Sequence, residues 1–181
     1  MIKKILIILG VIIVIFIVIV ALQPADFRVV RSASMTAPAP AVFAQVNDFH
    51  NWDAWSPWAK LDPNMKTTFE GPPAGPGAIY SWTGDRKVGA GRMAITESKP
   101  AELVRIKLDF LKPFEASNVT EFSFKPDGNN TSVTWSMTGR NNFMAKAFCL
   151  FMNMDKMVGG DFEKGLAQMK KVVEAPPKQS T

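Results

Sequence analysis

Side chains that could act as a general acid or base are few in this sequence and widely separated. His50 is the single histidine, and the candidate carboxylates are Glu97, Asp109, Glu115 and Glu121. Acid–base catalysis requires such a group within hydrogen-bond reach of the reacting atom. None of these residues forms a recognisable dyad or triad, and no nucleophile elbow or metal-binding motif accompanies them. The sequence therefore assigns no catalytic residue.

Alternation along the chain predicts that several of these acids face solvent. Asp109 shares the polar side of its segment with Arg105 and Lys107. Glu115 and Glu121 alternate with aromatic residues and so oppose the aromatic face. Because successive side chains of a strand point to opposite faces, we expect these three acids on the solvated face.

Three polar residues have a possible role in a site, and two of them, His50 and Arg92, keep two interpretations each. His50 is either an exposed or helix-capping histidine, or a catalytic base beside a tryptophan cluster. Arg92 lies opposite Met93 and Ile95 in the alternation, so it is either a surface residue or a group that orients an acidic ligand. Tyr80, the only tyrosine, could supply one polar contact within an apolar pocket.

Apolar side chains give a second hypothesis, a binding site for a hydrophobic molecule. We expect them to come from strands and helices that face each other, and a pocket lined this way suits a small lipophilic ligand. The same set also describes a filled core, so both interpretations stay open at this point. The candidate ligand-binding residues are Trp52, Trp55, Tyr80, Trp82, Met93, Ile95, Ile106, Leu108, Trp135, Met137, Met154, Met157, Val158 and Phe162.

A long amphipathic segment, residues 142–173, is predicted to form one C-terminal helix. Its apolar residues recur at steps of three or four, which places them on one stripe. About 32 residues at 1.5 Å each would make a rod of roughly 48 Å, which needs a concave surface to bury that stripe. The stripe consists of Phe143, Ala147, Phe151, Met154, Val158, Phe162, Leu166, Met169 and Val173.

The chain before that helix is predicted to supply the surface as strands. Strands are expected at residues 26–35, 65–70, 78–83, 89–98, 102–110, 114–125 and 131–139, with a short helix at 41–49 and a helical turn at 52–55. In the 114–125 strand, Phe114, Phe122 and Phe124 share the apolar face. One apolar face per strand indicates an antiparallel sheet that is covered on one side.

The N-terminus is predicted to be a membrane anchor. Lys3 and Lys4 precede an uninterrupted apolar run, residues 5–22, near the lower length limit for crossing a bilayer. A cleaved signal peptide is the alternative, although Ile19 occupies a position where a cleavage site needs a small residue. The predicted organisation is an anchor at 1–23, one domain at 24–175 and a disordered tail at 176–181.

Composition narrows the classes of partner and cofactor. The net charge is +5, two units of which come from Lys3 and Lys4, so nucleic acid is not an expected partner. A single cysteine, Cys149, excludes an intramolecular disulfide, and one histidine excludes metal sites that need two. We therefore expect neither a metal nor another cofactor.

Four short motifs resemble the START-like (SRPBCC) superfamily, specifically its polyketide cyclase/dehydrase and lipid-transport group. They are Val46 to Trp52, Trp55 to Trp58, Leu108 to Ala116 and Thr134 to Met137, the last two being similar to membrane-anchored bacterial members. Over residues 26–174 the resemblance implies an α+β helix-grip fold. In that fold a curved, seven-stranded antiparallel sheet surrounds a long C-terminal helix, with a hydrophobic cavity between them.

Three functions are compatible with the resemblance. The favoured one is a domain tethered to the bacterial inner membrane, on its outer side, that binds a lipid or other hydrophobic small molecule. A cyclase- or dehydratase-like enzyme is the second. The third is a protein-interaction module that presents the edge around Trp58 or the loop at residues 71–77.

Overall fold

The computed structural model describes residues 2–176, which contain four α-helices, one 3₁₀ helix and seven strands. In chain order these are α1 (Ile2–Leu22), β1 (Asp26–Met35), α2 (Ala39–Asn47), the 3₁₀ helix (Phe49–Ala54), β2 (Lys66–Glu70), β3 (Ile79–Thr83), β4 (Ala90–Lys99), β5 (Leu103–Lys112), β6 (Ala116–Asp127), β7 (Asn130–Arg140), α3 (Phe143–Cys149) and α4 (Met154–Glu174). The predicted α+β, helix-grip class is confirmed, with small differences at strand ends.

All seven strands form one antiparallel sheet in the order β1-β7-β6-β5-β4-β3-β2. Strand β7 shows why one face is buried, since Thr131, Val133, Trp135 and Met137 alternate with more polar, partly exposed residues. We call the face that carries these buried residues the inner face, because α2, the 3₁₀ helix and α4 pack there. A register shift after Ile95 disrupts the β4–β5 ladder locally, and irregularities of this kind bend a sheet.

One end of the sheet is connected directly to α1. The register pairs Asp26, which begins β1, with Arg140, which ends β7, and it pairs Phe110 with Ala116 at the β5–β6 turn. The β5–β6 loop and the β7–α3 connection therefore lie at the same end as the exit of α1. We call this the α1 end of the sheet.

The predicted single C-terminal helix is wrong in one respect, because the chain breaks it into α3 and α4. Two asparagines explain the break. Asn142 accepts a hydrogen bond from the backbone N–H of Ala145, and Asn153 accepts one from that of Lys156, both at 2.9 Å. A side-chain cap of this kind satisfies a backbone donor at the start of a helix, so Asn153 begins a new helix instead of continuing the old one.

The break also divides the predicted apolar stripe. In α4, Phe162, Leu166 and Met169 are buried against the sheet. Phe143 and Phe151, which belong to the stripe in the sequence, remain 45 % and 79 % exposed. The stripe therefore joins the core only along α4.

Strand β1 and helix α4 run side by side and are joined by polar contacts. Arg31 pairs with Asp155 (Nη2 to Oδ2, 3.0 Å) and with Glu163 (Nε to Oε1, 2.6 Å). Further along, the Lys170 ammonium donates to the Ser34 carbonyl at 2.9 Å. Because the contacts advance in the same order on both elements, the first turn of α4 lies towards the α1 end.

Within the sheet region, Phe114 is the residue whose position differs most clearly from the prediction. The sequence predicts it on the apolar face of β6, but the strand begins at Ala116. Phe114 lies in the preceding loop and is 77 % exposed.

Helix α1 is the one helix in residues 2–176 that is long and apolar enough to cross a membrane. Its 21 residues span about 31 Å, which matches the hydrocarbon thickness of a bilayer. Such an N-terminal apolar helix is either a membrane anchor or a signal sequence. The predicted disordered tail, apart from Pro176, lies outside the described residues.

Candidate functional site: the inner face of the sheet

Aromatic rings fill the middle of the inner face beneath α4. Trp135 of β7 and Phe162 of α4 stack with ring centroids 4.0 Å apart and 7° between their planes. Phe122 stacks on Trp135 at 4.7 Å, and Trp55 meets both rings edge-on. We call this buried cluster the closed part of the inner face; its members are Trp52, Trp55, Ile95, Ile106, Phe122, Trp135, Met137 and Phe162.

Every indole N–H in the closed part has a hydrogen-bond acceptor. Trp52 donates to the Val46 carbonyl at 3.1 Å, and Trp55 donates to the Gln45 carbonyl at 3.0 Å. Trp135 donates to the Thr120 hydroxyl at 2.9 Å. These bonds hold the rings in place and use the polar atoms of the cluster, so what remains is apolar surface.

Towards the α1 end, the inner face is only partly covered. Tyr80, Trp82, Leu108 and Phe110 are neither fully buried nor exposed. Two rows of paired positions cross β3, β4 and β5 here, the first consisting of Tyr80, Met93 and Leu108 and the second of Trp82, Gly91 and Phe110. We call these two rows the open part.

The Trp82 side chain is fixed by its neighbours in the open part. Its indole N–H donates to the Val88 carbonyl at 3.1 Å, and its ring meets that of Phe110 edge-on at 6.0 Å. Gly91 makes room for it, because a Cβ at that position would collide with the six-membered ring of Trp82. The open part therefore offers a flat, oriented aromatic surface.

Tyr80 contributes the polar group of the open part. Burial raises the pKa of its hydroxyl above the usual value, and the negative charge of Asp53 raises it further. The hydroxyl therefore stays neutral at physiological pH, where it can donate one hydrogen bond and accept others. Its ring packs on those of Phe49 and Trp82, each at 6.0 Å.

The α4 helix contributes less to the site than the sheet does. Val158 packs against the core, and Met154, one turn earlier, is partly buried. Met157 is 43 % exposed and is not among the residues that pack on the core. Apart from Met154 and Met157, every predicted ligand-binding residue is part of the buried hydrophobic core or packs against it.

Phe110 is a member of the site that the predicted set left out. The alternation of β5 already places it on the same face as Leu108, so the signal was present in the sequence.

His50 lines a cavity of about 250 Å³ next to the first row of the open part, since Phe69 packs on both His50 and Tyr80. Its Nδ1 is 2.7 Å from Oδ1 of Asp48, and its ring stacks on Phe69 at 4.1 Å. Glu70 and the first part of the loop at residues 71–77 also line this cavity. The structure therefore joins His50 to a carboxylate, a pairing that the sequence analysis did not identify.

The candidate acids on strands have structural partners on the outer face of the sheet. Asp109 accepts a hydrogen bond from Ser117 at 2.6 Å and pairs with Lys107, and these contacts hold the pKa of its carboxyl below the usual value. Glu97 and Glu121 both pair with Arg105, whose own pKa is raised mainly by Glu121. The prediction that Asp109 and Glu121 point away from the core is confirmed.

An open groove of about 810 Å³ crosses the same outer face. Side chains of β1, β4, β5, β6 and β7 line it, among them Arg28, Lys107, Val119 and Arg140. Trp58 does not lie in an exposed patch, because its ring packs edge-on against Trp135 at 5.8 Å.

Solved structures with a similar fold are numerous but distant in sequence. Protein CV1439 from Chromobacterium violaceum superimposes with a TM-score of 0.59 and 14 % identity, over 85 % of this chain and all of that one. The Aha1 dimer protein from Colwellia psychrerythraea has a TM-score of 0.59 and 11 % identity, over 82 % of this chain and 96 % of its own. At such identities the likeness concerns the fold alone.

One similar structure carries an enzymatic description. It is the di-domain ARO/CYC protein BexL from the BE-7585A biosynthetic pathway, with a TM-score of 0.60 and 17 % identity, covering 87 % of this chain and 53 % of BexL. Among curated proteins, none matches this chain. A family model does match, over residues 26–174, and the chain accordingly belongs to the polyketide cyclase/dehydrase and lipid transport family.

Proposed function

We propose that this chain is a membrane-tethered domain that binds a lipid or another hydrophobic small molecule in the open part of its inner face. The observation that carries the proposal is the partial exposure of Tyr80, Trp82, Leu108 and Phe110 on a face whose middle is sealed by aromatic rings. Partly exposed apolar side chains with one neutral hydroxyl are the lining that a lipophilic ligand requires.

The position of the open part supports the tethering. It lies on the side of the sheet from which α1 leaves, and only residues 23–25 separate α1 from β1. A hydrophobic molecule that leaves a bilayer beside α1 would therefore reach it without passing to the opposite end of the sheet. This arrangement corresponds to the predicted anchor at residues 1–23 and the predicted domain at residues 24–175.

The ligand proposal is tested by filling the open part. Leu108 lies in its first row, between Met93 of β4 and Asn118 of β6, so a Leu108→Trp variant would occupy the space. Val119 is 41 % exposed on the outer face of the neighbouring strand, and Val119→Trp is the matched control. The full chain is extracted from membranes in each form, and mass spectrometry measures the apolar molecules that remain bound.

We expect Leu108→Trp to lose most of the bound material and Val119→Trp to retain it. Equal retention in both variants would contradict the proposed site. Loss in Val119→Trp alone would instead place the ligand in the outer groove.

We further propose that the anchor lies in the bacterial inner membrane with the domain on the outer side. Lys3 and Lys4 lie in the first turn of α1, before its apolar run, and basic residues favour the cytoplasmic side of a span. Protease added to intact spheroplasts should digest the domain. Digestion only after lysis would show that the domain lies on the cytoplasmic side. Release of the chain by alkaline washing would show that α1 acts as a cleaved signal sequence and not as an anchor.

The Asp48–His50 pair favours a second candidate function, acid–base catalysis of the cyclase or dehydratase kind. Asp48 can hold a proton on Nδ1 of His50, which leaves Nε2 available as a base at the 250 Å³ cavity. Abstraction of a proton next to a carbonyl is the step that both reactions need. A β-hydroxyketone probe tests this candidate. Elimination of water by the wild-type protein that is lost in His50→Gln, without a lower melting temperature, would support it. A wild-type elimination rate equal to the rate in buffer alone would exclude it for that probe.

A further inference from the structure

Exposed apolar side chains are concentrated at the α1 end of the sheet, on two separate elements. Helix α3 and the turn after it carry the first group, with exposed fractions from 41 % to 79 %. The end of β5 and the loop after it carry the second, with Leu111 at 55 % and Phe114 at 77 %. The first group consists of Phe143, Met144, Phe148, Phe151 and Met152.

Contacts with α1 show where this surface lies relative to the apolar helix. The Phe151 ring stacks on that of Phe16, with centroids 6.4 Å apart. Phe16 lies six residues before Leu22, which is about 9 Å along the helix axis. The Lys146 ammonium donates to the Ala21 carbonyl at 3.2 Å, at the end of α1. The turn after α3 therefore lies beside a part of α1 that would be inside the bilayer, while Lys146 lies at the level of its edge.

Three basic residues flank these apolar groups. Lys112 ends β5, Lys146 lies in α3 and Arg140 ends β7, all at the α1 end. Of the acidic residues nearest in the sequence, Asp109 pairs with Lys107 and Asp155 pairs with Arg31, while Glu115 lies in the β5–β6 loop. Apolar side chains flanked by lysine and arginine are typical of segments that lie in the interface of a bilayer.

We propose that α3, the turn after it and the β5–β6 loop together dock on the lipid bilayer that α1 spans. This inference rests on the tethering in the proposed function, but it concerns a separate surface. The apolar side chains enter the boundary between headgroups and acyl chains, and the lysines lie among the headgroups. Docking at two points besides α1 holds the domain in one orientation, with the open part facing the membrane.

Phe114 is the decisive residue for the test, because Phe151 lies beside α1 in any case. In a Cys149→Ser background, Phe114→Cys, Phe151→Cys and Asn129→Cys each receive one bimane label. Asn129 is the control, since it is exposed in the β6–β7 turn at the opposite end of the sheet. Each labelled full chain is placed in nanodiscs of phosphatidylcholine and phosphatidylglycerol with brominated acyl chains.

We expect the brominated chains to quench the labels at 114 and 151 several-fold more than the label at 129, and aqueous iodide to show the reverse order. A label at 114 that behaves like the label at 129 overturns the docking surface, whatever position 151 shows. If that result accompanies a chain that resists alkaline washing and a Leu108→Trp variant that loses bound lipid, the proposed function stands without the docking. A chain that alkaline washing removes from the discs overturns the tethering and the docking together.

Discussion

The ring of Trp135 lies flat against that of Phe162, with 4.0 Å between their centroids, and this stack joins β7 to α4. Both side chains are 2 % exposed. The contact lies within the closed part of the inner face, so it attaches α4 to the packed core.

Phe162→Ala should destabilise the fold by about 3–5 kcal/mol, since truncation of a buried phenylalanine removes its contacts and leaves a cavity. Met157→Ala, on an exposed position of the same helix, should change stability by less than about 0.5 kcal/mol. Chemical denaturation followed by circular dichroism measures both. Similar losses in the two variants would mean that α4 is not attached through the Trp135 stack.

Two glycines of α4 provide a test of close packing. A Cβ at Gly165 would lie 2.8 Å from the Trp135 ring and 3.1 Å from Cδ of Pro57, whereas a Cβ at Gly160 would meet nothing within 4 Å. Gly160→Ala should stabilise the protein by up to about 1 kcal/mol through helix propensity. Gly165→Ala should destabilise it by about 1–3 kcal/mol, because overpacking outweighs the same gain. A stabilised Gly165→Ala variant would show that α4 can move away from the sheet at little cost.

The sheet could be predicted from the sequence because its signal is local. In β7, Val133, Trp135 and Met137 alternate with Ser132, Thr134 and Ser136, and a period of two specifies both the strand and its buried face. The break between α3 and α4 was missed because the apolar period of 3.6 continues across it. Asn153 had to be recognised as a cap, and a single asparagine inside a periodic segment is a weaker signal than the stripe.

The sequence predicts which residues lie on the inner face, but not which of them belong to the buried closed part and which to the partly exposed open part. Ile106 and Leu108 look alike in the sequence, since both are apolar residues on one face of β5. Their burial differs because the elements that pack on the inner face cover Ile106 completely and Leu108 only in part. That difference depends on where helices pack, and alternation carries no information about it.

The Arg31 ion pairs should make stability depend on pH in the acid range. The hydrogen bond from Arg31, with its charge, holds the pKa of Asp155 below the usual value. A carboxyl whose pKa is lower in the folded state contributes stability above its unfolded pKa, about 3.9, and loses that contribution as the pH falls through the folded value. Arg31→Met should therefore lower the melting temperature at neutral pH, and the difference from wild type should shrink below about pH 4.

A double variant assigns this effect to the named pair. Adding Asp155→Asn to Arg31→Met should cost little more than Arg31→Met alone, since the carboxylate has already lost its partner. Fully additive effects, or a difference from wild type that grows as the pH falls, would show that the pair does not couple β1 to α4.

Gly91→Ala tests whether the orientation of Trp82 matters for binding. The new methyl group would collide with the Trp82 ring and lie 2.7 Å from the Asp109 carbonyl oxygen, so the indole must turn away and lose its bond to Val88. We expect shifted tryptophan fluorescence, a loss of about 1–3 kcal/mol in stability and less bound apolar material per chain. Gly128→Ala, where a Cβ meets nothing within 4 Å, controls for stability alone, because its φ of 59° strains any residue with a side chain. If both variants lose stability and only Gly91→Ala loses ligand, the flat face of Trp82 is part of the binding surface; equal retention of ligand would remove Trp82 from it.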